Sequence, residues 1–149
     1  MNVILTLSGG LDSTVCLALL MQKYQVKCLS FDYGQRHRGE LERAKLIAQH
    51  YGVMHRIADL KGFAFALAGS SQTDNIDVPD GHYADENMRV TVVPDRNMIF
   101  LSIAAAWSIA THAQAVAYAA HAGDHSIYPD CRPEFADAVS QVFMRCHAI

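Results

Sequence analysis

The chain has no C-x-x-C pair: its four cysteines, Cys16, Cys28, Cys131 and Cys146, are scattered among its 149 residues. That scatter excludes an encoded zinc knuckle or redox dithiol and leaves buried free thiols as the expectation. Eight histidines are present, but no H-x-x-x-H pair joined by a third ligand stands out, so a metal site built from protein ligands alone is not expected. Basic charge is also scarce. With 12 Lys and Arg against 15 Asp and Glu, the formal net charge is −3, which offers no long-range attraction to a polyanion, so direct nucleic-acid binding is not expected. No segment reaches the length of a transmembrane helix. The longest apolar stretch, Met98 to Ala110, carries Ser102 and Ser108 and reads as a buried helix. Asn2 to Leu7 is too short for a secretory h-region and runs into a glycine motif without a small-residue cleavage site, so a cytoplasmic protein without membrane association is expected. Repeats and low-complexity tracts are missing too.

What is present is a balanced globular composition, 51% hydrophobic and 18% charged, that suits one domain over residues 1–149. Apolar runs at Val3 to Leu7 and Val26 to Phe31 are each followed by a helical pattern, which predicts parallel strands. Thr14 to Tyr24 is apolar on nearly every face and predicts a helix packed deep against a sheet. Leu41, Ala44, Ala48 and Tyr51 recur at helical spacing among charged residues, so the second helix has one buried face. Gly52 suits a helix C-cap, and Met54 to Leu60 has room for a third strand. Ser70 to Arg89 reads as a long polar loop of the kind that forms lids. Val90 to Val93 precedes Pro94, a helix is expected from about Asn97 to Thr111, and a strand from Ala115 to Ala119. Phe135, Ala138, Val139, Val142 and Phe143 mark a last amphipathic helix. The whole predicts an open, mainly parallel α/β sheet with helices on both faces and ligands beyond the carboxyl ends of its strands.

Leu7-Ser8-Gly9-Gly10-Leu11-Asp12-Ser13 joins the first strand to the first helix. Successive backbone N–H groups and a helix N-terminus then surround one concave spot suited to an anion. Gly9 and Gly10 permit backbone conformations and a close phosphate approach that a Cβ would obstruct, while the Ser8 and Ser13 hydroxyls can donate to phosphate oxygens. Asp12 cannot donate when ionised, so its task is to hold Mg²⁺ or to orient the loop.

The pattern S-G-G-x-D-S, without a Walker lysine, resembles the signature of the PP-loop ATP pyrophosphatases. The resemblance implies an adenine nucleotide alpha hydrolase-like fold and ATP cleavage between the α and β phosphates. A substrate oxygen is then activated as its adenylate, chemistry that positioning and charge neutralisation carry without an acid–base pair.

Three later segments narrow the reading. Phe31-Asp32-Tyr33-Gly34-Gln35-Arg36-His37 follows the second strand and emerges at the sheet edge that carries the loop, although a solvated turn also accounts for Tyr33 and His37. Pro94-Asp95-Arg96-Asn97 opens a helix and places a guanidinium and an amide at its N-terminus, where Asn97 either caps the helix or contacts a ligand. His121 to Phe135, H-A-G-D-H-S-I-Y-P-D-C-R-P-E-F, concentrates polar groups after a strand. Pro133 and Glu134 suit an ordinary first helical turn, so the functional weight falls on residues 121–132.

Together with S-G-G-L-D-S and V-P-D-R-N-M-I-F-L-S, these segments closely resemble the 7-cyano-7-deazaguanine synthase (QueC) family, in order and over nearly the entire chain. The resemblance implies that 7-carboxy-7-deazaguanine is adenylated on its carboxylate and attacked by ammonia, and that a second ATP converts the amide to the nitrile, in queuosine and deazaguanine biosynthesis. It implies ATP contacts at Leu7 to Ser13 and at Phe31, Asp32 and Tyr33. Substrate contacts are implied at Arg96, Asn97, Asp124, Tyr128, Asp130 and Arg132. The reaction would rest on Asp12, Ser13, Arg96, Asp124 and Arg132, with Asp12 on the Mg²⁺ of ATP. A homodimer is compatible with the resemblance. Family members continue to a cysteine cluster that binds structural Zn²⁺, whose ligands are not found before Ile149, so a C-terminally shortened form is expected. Two alternatives stay open: a related PP-loop ligase that stops at an amide or transfers the deazaguanine, and a non-catalytic ATP-binding module.

Overall fold

The structure, a computed structural model, describes residues 1–35, 39–67, 93, 95–121 and 128–146. The expected loop from Ser70 to Arg89, together with Arg36, His37 and Asp124, lies outside the described residues. Strand β1 (Asn2–Thr6) leads into helix α1 (Leu11–Met21), β2 (Gln25–Asp32), α2 (Gly39–Tyr51) and β3 (Met54–Asp59). A 3₁₀ turn follows at Lys61–Ala66, then α3 (Arg96–Ala110), β4 (Ala115–Ala117), a second 3₁₀ turn at Pro129–Cys131 and α4 (Pro133–Cys146).

The four strands form one sheet in the order β3-β2-β1-β4, and every pairing is parallel. Val3 lies opposite both Val26 and Ala115, which fixes β1 as a central strand. Because successive side chains of a strand point to opposite faces, β1 serves two cores. Ile4 joins Leu29, Phe31, Tyr33, Leu60 and Ala104 of α3 on one face. Leu5 and Leu7 join Leu17 of α1, Val26, Cys28, and Ala44 and Ala48 of α2 on the other. Burial on both faces explains why β1 and β2 read as unbroken apolar runs, and the sheet is the expected parallel one with helices on both sides.

Three sequence expectations need correction: the bounds of α1, its burial and the length of β4. Helix α1 starts at Leu11, three residues before the expected Thr14, because Gly10 in an extended conformation (φ −84°, ψ 170°) is already its N-cap. It ends at Met21, where the amides of Gln22, Lys23 and Tyr24 turn back onto the carbonyls of Leu19 and Leu20. Nor is it buried all round. Ser13 and Leu17 are buried, but Leu11, Val15 and Leu19, four residues apart, are 78%, 48% and 60% exposed. A single sheet can cover only one side of a helix, and among the described residues no second layer covers the other. By contrast, α2 is as expected, with Ala44 and Ala48 buried and Glu42, Arg43 and Lys45 in solvent. Strand β4 ends at Ala117, two residues short of the expected Ala119.

Candidate functional site

Neighbours of β1 are β2 on one side and β4 on the other, so the chain reverses its direction of travel across the sheet there. In an open α/β sheet a crevice forms at such a point, beyond the carboxyl ends of the strands. A cavity of about 290 Å³ lies there. Its lining combines Thr6, Leu7, Ser8 and Ser13 from the first strand and loop, Phe31, Tyr33 and Gln35 after β2, and Glu40 and Leu41 of α2. Arg96, Asn97 and Phe100 of α3, Tyr118 and Ala119 after β4, and Cys131 complete it.

Small side chains hold the glycine loop together. The Gly10 amide donates to Ser8 Oγ (3.2 Å), Ser13 Oγ and Thr14 Oγ1 both donate to the Gly10 carbonyl (3.0 and 2.8 Å), and Ser8 and Ser13 Oγ lie 3.1 Å apart. The amides of Leu11, Asp12 and Ser13 open the helix without a side-chain cap, and among the described residues no protein group accepts from them. Free N–H groups beside the positive end of the helix macrodipole, with two hydroxyls alongside, form a ready anion site. The two glycines have different reasons. Gly9 has φ +84°, and a Cβ there would overlap the Glu40 carbonyl oxygen and come within 2.9 Å of the Ala44 nitrogen, so α2 rather than a ligand demands that glycine. Gly10 has an ordinary φ, and a Cβ there would meet only Ser8 Oγ, at 3.4 Å. Asp12 sits exposed in the first turn of α1 and, with Gly9, Gly10 and Leu11, is not among the cavity-lining residues.

The far wall is aromatic. Phe31 stacks on Phe100 with ring centroids 4.0 Å apart and planes 5° from parallel, and Tyr33 tilts against Phe100 at 5.5 Å. Gln35 is buried and fixes the chain after β2, accepting from the Tyr33 amide and donating to the Phe31 carbonyl, both at 3.1 Å. Burial raises the Tyr33 phenol above its ordinary pKa of 10.0 against the pull of Arg96, which hydrogen-bonds it, while nearby Glu40 adds to the rise. A neutral phenol and a guanidinium therefore face the cavity together. Asp32 points elsewhere: its carboxylate holds Lys61 Nζ at 3.2 Å and accepts from the Gly34 amide.

Asn97 is the second residue of α3 rather than its cap. The cap position belongs to Asp95, which has φ +51° and makes no side-chain cap bond. The Asn97 amide instead donates to Asp130 Oδ2 at 3.2 Å, and its Nδ2 lies 3.8 Å from Cys131 Sγ. Asp130 is thus a remote anionic cap for α3, and Tyr118 Oη donates to the Asp130 carbonyl at 3.4 Å. Tyr128 is half-buried and Arg132 exposed near this turn, and neither lines the cavity. Of the residues singled out in the sequence, Leu7, Ser8, Ser13, Phe31, Tyr33, Arg96 and Asn97 meet around one space. Gln35 and Cys131 stood within the quoted segments but gave no signal of their own. Phe100 likewise stood within V-P-D-R-N-M-I-F-L-S, whereas Thr6, Glu40, Leu41, Tyr118 and Ala119 were hidden in ordinary strand and helix patterns.

A family model described as queuosine biosynthesis protein QueC matches residues 2–148. The chain belongs to the QueC family. Among curated relatives, a 7-cyano-7-deazaguanine synthase of Brucella anthropi is 50% identical over 150 residues, covering 100% of this chain and 64% of the relative. A 7-cyano-7-deazaguanine synthase 1 of Colwellia psychrerythraea is 50% identical over 142 residues, covering 95% and 65%. The chain therefore spans slightly less than two-thirds of the length of these QueC relatives. In fold it is similar to the U34-tRNA thiolase NcsA of Methanococcus maripaludis, with a TM-score of 0.56, 19% identity and coverage of 83% of this chain and 40% of that one. Among the described residues no group of three or more His, Cys, Asp or Glu side chains is placed to hold a metal, and no helix is long and apolar enough to cross a membrane.

Proposed function

We propose that this QueC-family chain is an ATP-dependent carbon–nitrogen ligase domain that acts in the cytoplasm on 7-carboxy-7-deazaguanine. The observation that carries the reading is the loop between β1 and α1. The paired hydroxyls of Ser8 and Ser13 line a cavity whose opposite wall offers aromatic rings and a guanidinium, and the free amides that open α1 lie beside them. The substrate carboxylate attacks the α-phosphorus of ATP, and pyrophosphate leaves. Ammonia then attacks the acyl-adenylate carbonyl, expelling AMP and a proton and leaving the amide. A second ATP is attacked by the amide oxygen in the same way, and loss of AMP and a proton gives the nitrile.

In this reading Ser8, Ser13 and the first amides of α1 hold the departing pyrophosphate, and Phe31, Tyr33 and Phe100 offer flat surfaces to a heterocycle. Arg96 and Asn97 face the carboxylate or the α-phosphate. Two carbonyl-activation steps need the same preorganised donors and no dedicated base. Mg²⁺ would be held by the ATP phosphates together with Asp12, and would supply charge neutralisation on the phosphates. Roles for Asp124, Asp130, Tyr128 and Arg132 in substrate contact belong to the same proposal. Incubating the protein with ATP, Mg²⁺, ammonium and 7-carboxy-7-deazaguanine, then resolving acid, amide and nitrile by mass spectrometry, tests it. Nitrile together with AMP is the expected result. Amide without nitrile points to a ligase that stops halfway, and ATP binding without AMP formation removes the enzymatic reading.

A further inference from the structure

Beneath the glycine loop lies a partly buried polar pair, Ser30 and His55, that takes no part in lining the cavity. Ser30 of β2, 1% exposed, donates from Oγ to the Leu7 carbonyl at 2.5 Å, and His55 Nε2 of β3 lies 2.8 Å from the same oxygen. Ser30 has a single hydroxyl proton, already given to Leu7, so its oxygen can only accept from the ring and His55 must carry its proton on Nε2. Burial, with Lys45 nearby, lowers the His55 pKa below its ordinary 6.5, consistent with a neutral imidazole in that tautomer.

The Leu7 carbonyl, one residue past β1, is the first backbone acceptor beyond the ladder with β2: the Leu7 amide still bonds to the Leu29 carbonyl, at 2.8 Å. A planar trans peptide holds C=O and N–H in opposite directions. Pinning the Leu7 carbonyl toward Ser30 therefore turns the Ser8 N–H to the opposite side of the chain, where no protein group among the described residues accepts it. A rotated 7–8 peptide would instead present a carbonyl oxygen to an incoming anion.

We propose that Ser30 and His55 are positioning residues for anion binding, locking the Leu7–Ser8 peptide so that the Ser8 amide joins the donors of the glycine loop. This inference rests on the reading of that loop as a pyrophosphate site. Nothing in the sequence marks the pair, since Ser30 stands in an apolar strand and His55 at the start of another.

The test is calorimetric titration of the protein with inorganic pyrophosphate and Mg²⁺, together with amide spectra of ¹⁵N-labelled protein. Ser30→Ala should weaken pyrophosphate binding roughly tenfold, the scale of one oriented hydrogen bond, and should abolish the shift of the Ser8 amide on ligand addition. Ser30→Thr, which keeps the hydroxyl, should bind like the wild type. His55→Gln, which keeps an N–H donor, should stay close to the wild type, while His55→Leu should lose several-fold. If Ser30→Ala does not fold, the His55 pair carries the test. Equal affinity in Ser30→Ala and wild type, or in His55→Leu and His55→Gln, overturns the lock alone, as does a Ser8 shift that persists in Ser30→Ala. A wild-type protein that binds no pyrophosphate overturns both the lock and the loop reading on which it rests.

Discussion

Two adjacent glycines, Gly9 and Gly10, look equivalent in the sequence and are opposite in their physical demands. Gly9 occupies a left-handed conformation against the first turn of α2, so Gly9→Ala meets both backbone strain and steric overlap. A loss of about 2 kcal/mol or more in chemical denaturation is expected. Gly10→Ala meets neither, and its unfolding midpoint should stay close to that of the wild type. Similar losses in both variants would refute this assignment. The cysteines divide in the same way. Burial pushes the Cys28 thiol up to about 12, with Cys16 adding to the rise, and raises Cys16 itself, whereas Cys146 is exposed. Thiolate is the reactive form, so iodoacetamide should modify Cys146 first and Cys28 only after unfolding. Peptide mapping over a time course reads that order directly.

Helix α1 joins the glycine loop to the sheet through one face. Leu17 has no exposed surface and packs with Leu5, Leu7 and Val26. Leu17→Ala should therefore cost about 2–5 kcal/mol. Leu19, on the open side, is mostly exposed, and Leu19→Lys should change stability by within about 0.5 kcal/mol. Comparable losses would mean that the outer face is covered in solution. At α3 the anionic cap comes from outside the helix, where Asp130 accepts from the Asn97 amide. Removing it in Asp130→Ala should lower ligand-free stability by about 1 kcal/mol, the worth of a capping interaction. An unchanged thermal midpoint would reassign Asp130 to the substrate alone.

For the molecule as a whole, the sheet face beneath α2 carries a group whose titration couples to stability below neutrality. His55 has a folded-state pKa below its ordinary 6.5 because burial disfavours its charged form. The unfolded chain therefore binds the proton more readily, and His55 contributes stability that is complete above 6.5 and is lost as pH falls below it. Urea midpoints measured from pH 8 to pH 5 should fall for the wild type and fall less for His55→Gln; parallel curves would count against the assignment. Asp59, lowered chiefly by hydrogen bonds from Lys61, enters only near and below its ordinary 3.8 and does not confuse that window.

Local chemistry made much of this protein legible from its residues alone. Apolar runs buried on both faces betray central parallel strands, so β1 and β2 were readable, and six matching positions between strand and helix marked the glycine loop. The same holds for α2, whose charged face and alanine face separate cleanly. Other features depend on neighbours distant in the chain. The open side of α1 exists because the sheet offers it only one surface, and apolar composition alone could not reveal which side that was. Gly9 is required by a helix some 30 residues further on. Phe100, Glu40 and Tyr118 reach the cavity only because α3, α2 and the end of β4 converge where strand order reverses. Residue identity and periodicity determined the layers and the glycine loop. Tertiary packing decided which side chains share the loop's cavity, and which, like Ser30 and His55, support it from beneath, because hydrogen bonds and steric overlap depend on proximity in space rather than along the sequence.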